Sequence, residues 1–506
     1  MSFFALLSVE TWTLLLVLFT LLVLYGISPY GHFKKLGIPG PRPLPFLGSF
    51  LAYRKGFHNF DVECFNKYGN IWGIFDGRSP LLMIADRNMI KAVMVKECHT
   101  YFTNRRDGFM AGPLSDGLSL AKDEKWRRIR SALSPVFTSG KLKEVFPIVS
   151  HCADIMMASL KKKNLEGPVQ VKDIVGPYSM DVITSASFSV DIDSINNPND
   201  PFVSHIKKML KFSFYNPVLW IITVFPFTIP FFEKLGVSLF SNSNLDFFYK
   251  ALKKIKDQHH KVHGNRVDFL QMMIECQISE QQSDDKATDE AVKGLTDHEI
   301  LSQSLIFIFG GYETTSSALT LLAYNLATNP DSMRKLQEEV DRVFPDNAPI
   351  SYEELMQMEY LDMAINESMR LWPLAPRIER ACKQTVEIHG VTISSGTLVV
   401  VPVYVLHRDP KIWESPETFR PERFSKENKD SIDPYTFLPF GTGPRNCIGM
   451  RFALMVVKLA IVKMLQNFDF KTCKETQIPL EVNVLFQPKQ PITLKLVPRN
   501  SSSNKN

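Results

Sequence analysis

The chain has little from which to build a covalent framework. Its 506 residues hold seven cysteines (Cys64, Cys98, Cys152, Cys276, Cys382, Cys447 and Cys473), an odd number, widely spaced and without a C-x-x-C pair. That excludes a disulfide-stapled scaffold and a structural zinc site. Free thiols in turn imply a reducing compartment. No nicotinamide or flavin fingerprint is present, so a redox role needs electrons from a partner. There is no internal repeat. The net charge of +5 is too mild to indicate nucleic acid, although it suits an anionic membrane or an acidic protein. Tryptophan is sparse at 6 residues, whereas phenylalanine reaches 37. Many of these rings must be core, and others can line an apolar pocket.

Hydrophobic residues make up 45% of the chain, ample for a large core. Near the N-terminus, residues 11–27 carry no charge and are rich in Leu, Val and Phe. With residues 3–9 the run reaches the roughly 20 residues that cross a bilayer. No basic residue precedes it and no small-x-small cleavage site follows, which argues for an uncleaved anchor over a signal peptide. Glu10 lies before the run and Lys34 and Lys35 after it, placing the bulk of the chain on the cytoplasmic side. Pro39, Pro41, Pro43 and Pro45 then alternate, which predicts a stiff extended segment. The expected organisation is an anchor over 1–28, a proline-rich linker over 29–50, a catalytic domain over 51–498 and a polar tail over 499–506.

Helix signals dominate the body. Thr296 and Glu299 form a capping box, and a helix-compatible run follows to residue 327, before Asn329-Pro330. Ser351 and Glu354 read as a second capping box. Further helices are expected over 362–371 and 450–468. Strand-like runs are few: 81–84, 386–393 and 398–403. The polar stretch 275–293 reads as an exposed, mobile loop.

One stretch outweighs the others: Phe440-Gly441-Thr442-Gly443-Pro444-Arg445-Asn446-Cys447-Ile448-Gly449. Glycines let the backbone approach a flat ligand closely. The helix that follows turns its positive end toward the sulfur and favours the thiolate. Such a sulfur suits a haem iron whose bound oxygen is to be split. A lone cysteine in a glycine-rich turn is ordinarily structural, but the complete Phe-x-x-Gly-x-Arg-x-Cys-x-Gly spacing argues otherwise. Three other patterns accompany it. Glu367 and Arg370 share a helix face, with Arg423 downstream. Gly310-Gly311-Tyr312-Glu313-Thr314-Thr315 puts two glycines inside a helix, at roughly 1 kcal/mol each relative to alanine. Trp126 and Arg130 lie four residues apart.

Jointly these motifs resemble the cytochrome P-450 superfamily across essentially the whole chain. The closest resemblance is to the vertebrate 3A subfamily that oxidises drugs and steroids, on segments 33–41, 133–143 and 307–309. The resemblance implies a mainly α fold with a small β-sheet region, preceded by one N-terminal transmembrane helix. It implies haem b with Cys447 as axial iron ligand, near Phe440. Trp126, Arg130 and Arg445 would bind the haem propionates, joined by Arg105 and Arg380 unless these two are ordinary surface charges. Arginine suits this task because its fork meets carboxylates bidentately. Thr314 and Glu313 match the acid–alcohol pair that delivers protons to bound dioxygen. Glu367, Arg370 and Arg423 match a buried structural network that braces the cysteine loop.

Candidate substrate residues by position are Phe57, Ser119, Phe212, Phe214, Phe309, Leu374, Ala375 and Leu485, with core packing an open alternative for each phenylalanine. The match weakens at 107–111 and 211–232, which bear on the pocket. The family usually has alanine where this chain has Gly310, which should widen the space above the iron. The implied activity is monooxygenation of lipophilic small molecules with NADPH electrons from a flavoprotein reductase, with cytochrome b5 as a second donor, at the endoplasmic reticulum membrane. Arg127 and Arg128 fit either a surface that steers an acidic partner or plain solvated helix charge. A haem-thiolate isomerase needing no reductase is a rival, as is a non-catalytic haem sensor; the Glu313-Thr314 pair argues against both.

Overall fold

The computed structural model describes residues 8–106, 112–162, 165, 167–209, 216–238, 242–262, 268–278 and 294–499. The uncharged run forms one helix, Val9–Ile27, started by Ser8, whose hydroxyl accepts the Thr11 N–H. Only 6% of the apolar window in Val9–Lys35 is buried. A helix of that length with an uncovered apolar surface fits a membrane anchor. The segment after it corrects the expectation of an extended linker. Ser28–Gly31 is a 3-10 turn and His32–Lys35 a helical turn. Pro29 sits in the first turn, where its missing N–H does no harm. Residues 36–37 turn, 38–43 have no regular structure, and the chain turns again at 45–47, where Leu44 and Gly48 pair. The segment lies on the body rather than free of it: the Gly73 N–H donates to Pro39 O at 2.8 Å, and Phe33 is buried against Phe75.

Helices build most of the body. The long central helix runs Asp297–Thr328, with both halves of its capping box formed between Thr296 and Glu299. It has the length and hydropathy of a membrane span, yet most of it is interior. Its closest neighbour is the Lys172–Phe188 helix. A Cβ on Gly311 would meet the Ile183 side chain at 2.6 Å, so the close approach of these two helices requires glycine there. The Glu359–Leu371 and Met450–Asn467 helices appear close to their expected bounds. The Ser351 signal gives only half a box: Ser351 Oγ accepts the Glu354 N–H, but the Glu354 carboxylate takes the Ser351 hydroxyl rather than its N–H.

The sheets are small. A four-stranded sheet is ordered 71–76, 79–84, 398–401, 378–381, with a parallel pairing only between the middle two. The expected single strand over 386–393 is a hairpin, because His389 and Gly390 both take positive φ and turn the chain. The expected strand over 398–403 ends at Val401, and Val403 opens a short helix. A three-stranded sheet joins 169–170, 493–498 and 468–471. One core surrounds the central helix and a second lies under the four-stranded sheet. Most of the 275–293 stretch, and the 107–111 and 211–215 segments, lie outside the described residues.

Beyond the anchor, Pro217–Val224, the Pro226–Thr228 turn and Ile229–Lys234 with the following Leu235 present Trp220, Phe227, Phe231 and Leu235 to the outside. Tyr25, near the end of the anchor helix, stacks on Phe225 at 5.6 Å, so this apolar face adjoins the anchor.

Candidate active site

The cysteine loop is held by its own backbone. The Cys447 N–H donates to Phe440 O at 2.9 Å and the Asn446 N–H to Gly443 O at 3.0 Å. Gly443 has φ +74°, and a Cβ there would lie 2.0 Å from the Met94 carbonyl oxygen. The Cys447 side chain is accessible, and that accessible surface is the wall of two adjoining internal cavities of about 220 and 420 Å³. Both cavities touch Arg105, Ser119, Gly310, Thr314, Arg445 and Cys447. Burial raises the thiol above its ordinary range; the Gly449 N–H, Arg130 and Arg105 oppose it. The start of the following helix thus favours the thiolate as expected, through the Gly449 N–H, but desolvation is the larger effect.

The central helix forms the facing wall. It stays helical through Gly310–Thr314, and the Thr314 hydroxyl donates back to Gly310 O at 2.5 Å. A Cβ at Gly310 would meet nothing within 4 Å, so packing does not demand this glycine. Glu313 is not among the residues lining either cavity. Its carboxylate is tied to Lys172 Nζ at 2.5 Å and accepts from Ser317 Oγ at 3.3 Å.

Arginines gather at one edge. Arg380 is 1% exposed and Arg445 4%, so neither is a surface charge. The Arg445 guanidinium lies 4.4 Å over the Trp126 ring and donates to Ala121 O. Burial lowers Arg445 to about 9, helped by the nearby Arg105 and Arg380. Burial and Arg105 lower Arg380 to about 10. Among the described residues no carboxylate makes a salt bridge to either. Arg130 lines the smaller cavity and also braces the cysteine loop, donating to Asn446 O and Oδ1 at 2.9 and 2.8 Å.

Behind the loop lies a closed ionic network. Arg370 meets Glu367 bidentately at 2.7 and 2.8 Å, and Arg423 Nε meets Glu367 Oε1 at 3.2 Å. Glu367 and Arg370 are fully buried. Remaining donors go to carbonyls of His407, Pro416 and Ser415. His407, which sequence reasoning missed, is the link onward: Nδ1–H donates to Arg370 O and Nε2 accepts the Leu438 N–H at 2.9 Å. Burial, then Arg370, lowers its pKa to about 3, so it stays neutral.

The family model "Cytochrome P450" matches residues 38–496. The chain belongs to the cytochrome P450 family. It is 58% identical to "Cytochrome P450 3A27" of Oncorhynchus mykiss, over 100% of this chain and 98% of that one. It is 58% identical to "Cytochrome P450 3A40" of Oryzias latipes (98% and 99% covered) and 57% to "Cytochrome P450 3A29" of Sus scrofa (98% and 98%). It is thus a cytochrome P450 monooxygenase, and the family implies a haem-thiolate centre. The residues present fit that group. Arg380 Nε and Arg445 Nε are buried without a hydrogen-bond partner, beside a cavity onto which one cysteine sulfur opens. Two propionate carboxylates are the partners such cations lack.

The expected P450 substrate residues divide. Ser119, Leu374 and Ala375 line the larger cavity. Phe57, Phe309 and Leu485 do not line either one: Phe57 lies 4.8 Å beneath Arg377, Phe309 packs on the core, and Leu485 is on the surface. Phe212 and Phe214 lie outside the described residues. Phe440 lines the larger cavity as expected of a cofactor neighbour. Trp372 also lines it, with Nε1 anchored on Asn325 Oδ1 at 3.2 Å. Its place just after the Glu-x-x-Arg helix was the available signal. Arg128, a candidate for partner steering, is instead clamped bidentately on Glu299, while Arg127 pairs with Glu124 at the surface.

Proposed function

We propose that this monooxygenase oxidises large lipophilic molecules (steroids, fatty acids, drugs and other xenobiotics) with NADPH electrons passed through a flavoprotein reductase. Cytochrome b5 is the second donor, and the catalytic domain, 51–498, faces the cytoplasm from the endoplasmic reticulum membrane. The observation that carries this reading is a single one: the Cys447 sulfur and the Thr314 hydroxyl open onto the same apolar cavity, rimmed by buried arginines that have no carboxylate partner among the described residues.

Cys447 would hold the haem iron, and Arg105, Arg380, Arg445, Trp126 and Arg130 would hold the propionate edge. When bound, the haem supplies the redox chemistry that places one atom of dioxygen in the substrate and releases the other as water. The protein's own parts bind, exclude and relay. Leu322, Ile365, Trp372, Leu374 and Ile378 give the cavity an apolar wall that keeps water from the reacting centre, and Ser119 supplies one hydroxyl for orientation. Thr314 keeps its proton on Gly310 O and turns that hydroxyl toward the cavity when it acts. Glu313, held by Lys172 on the far side of the helix, feeds protons from outside the cavity. The exposed apolar face beside Tyr25 rests on the lipid, delivering lipophilic substrates to the body.

The test uses the full chain in vesicles with the reductase, NADPH, testosterone and isotopically labelled dioxygen. One labelled oxygen per product molecule is expected, and Thr314→Ala should keep NADPH oxidation while losing most product. Product formed without NADPH or without label would overturn the reading in favour of an isomerase.

A further inference from the structure

The segment from Gly112 to Ala121 carries Ser119 into the cavity but has little regular structure to hold it. It contains one 3-10 turn, Gly112–Leu114, and short turn bonds that leave the Leu118 N–H unused. That N–H is taken from across the fold: it donates to Gln303 Oε1 at 2.6 Å. The Gln303 Nε2 donates in turn to Asp116 O at 2.7 Å and to Glu299 O at 3.1 Å. Gln303 is fully buried on the central helix. An uncharged side chain there satisfies one donor and one acceptor of loop backbone, and its bond to the helical Glu299 carbonyl holds it in place.

Other side chains hold the same few residues. The Asp116 carboxylate meets His298 Nδ1 at 2.9 Å and Lys125 Nζ at 2.7 Å. Arg445, in the cysteine loop, donates to Ala121 O at 2.5 Å, with Nη1 3.4 Å from Leu118 O. Leu118 is thus held by its N–H from the central helix and approached at its C=O from the cysteine loop. A Cβ on Gly117 would lie 2.4 Å from the Ile306 side chain, so the segment lies flat on that helix. Gln303 is eleven residues before Thr314, about three helical turns, so both lie on the face turned toward the cavity.

We propose that Gln303 is a positioning residue that sets the location of Ser119 and Leu118, and with it the enzyme's selectivity among large substrates. It touches neither cofactor nor substrate and acts through the backbone it clamps. This rests on the monooxygenase reading and deepens it: a bulky ligand that reaches the Leu118–Ser119 wall senses the clamp, and a small iron ligand does not.

The experiment compares wild type with Gln303→Met in haem-loaded, full-length protein. Two probes are titrated by the haem absorption change: testosterone, a bulky ligand, and imidazole, which needs only the iron. The expected result is testosterone binding weakened about tenfold, one hydrogen bond's worth, with imidazole affinity and the reduced carbon-monoxide band unchanged. Both probes unchanged, or both weakened together, would overturn the proposal, the second because a merely structural role moves them alike. If the variant does not accumulate, hydrogen exchange on the wild type decides. The Leu118 amide should be protected like the central helix; exchange at the rate of an open loop would refute the clamp. Absence of the carbon-monoxide band in wild type would instead sink the haem-thiolate reading itself.

Discussion

Two clusters of buried arginine lie on either side of the cysteine loop, and the protein treats them oppositely. Arg370 and Arg423 share one carboxylate, Glu367, and every further donor named above ends on a backbone carbonyl. Arg380 and Arg445 have no carboxylate partner among the described residues, keep orphaned Nε groups and crowd each other's charge. The first cluster is complete as folded. The second is complete only when an anion enters. Desolvating a cation is expensive unless it is paired, so an unpaired buried cluster beside an open cavity marks where a ligand, rather than the fold, supplies the counter-charge.

The contrast can be broken most severely at Glu367. Glu367→Ala strands two buried guanidinium groups and should cost about 3–5 kcal/mol, read as loss of the folded fraction in urea denaturation. The corresponding change in the open cluster should behave differently. Arg380→Met removes a crowded charge, so the apoprotein should be as stable as wild type or more so, while haem affinity falls about tenfold, the worth of one charged hydrogen bond. Haem transfer to a scavenger protein measures that loss. An apoprotein destabilised as much as by Glu367→Ala would erase the distinction.

His407 tests how the closed cluster reaches the loop. Its folded pKa of about 3 lies below the ordinary 6.5. Between those values the unfolded chain binds a proton that the folded chain does not. Its contribution is therefore fully present above pH 6.5 and is lost progressively as pH falls toward 3, by about 1.4 kcal/mol per unit at full slope. His58, lowered to about 4 mainly by burial, acts in the same direction. Urea midpoints at pH 7 and pH 5 should show the fall, and His407→Gln should remove its share. The smallest effect is expected at Gly310. Since an added methyl meets nothing within 4 Å, Gly310→Ala should stabilise by about 1 kcal/mol through helix propensity alone, measured by thermal unfolding.

Local chemistry made part of this molecule readable in advance. The Thr296 box and Asn329-Pro330 bounded the central helix because both signals act within a few residues. The glycines around Cys447 announced a tight loop for the same reason. Helices Ser139–Lys162 and Lys172–Phe188 gave no such signal, and each holds an interior proline, Pro147 and Pro177, that argues against helix locally and is overridden by packing. The linker's docking, the pairing of Glu313 with Lys172, the role of His407 and the grip of Gln303 on Leu118 all join residues far apart in the chain, 185 positions in the last case. Periodicity and spacing carry no information about such partners. The same limit applies to Phe57, Phe309 and Leu485, whose apolar character fits a pocket and a core equally well.

The central claim is that Cys447 and the open arginine cluster form one haem-thiolate site. Its most direct test is the reduced, carbon-monoxide-bound difference spectrum of purified full-length protein, wild type beside Cys447→Ser. A strongly red-shifted Soret band in the wild type alone is the predicted result. Well-folded, haem-loaded wild type without that band, or a serine variant that keeps it, would contradict the assignment.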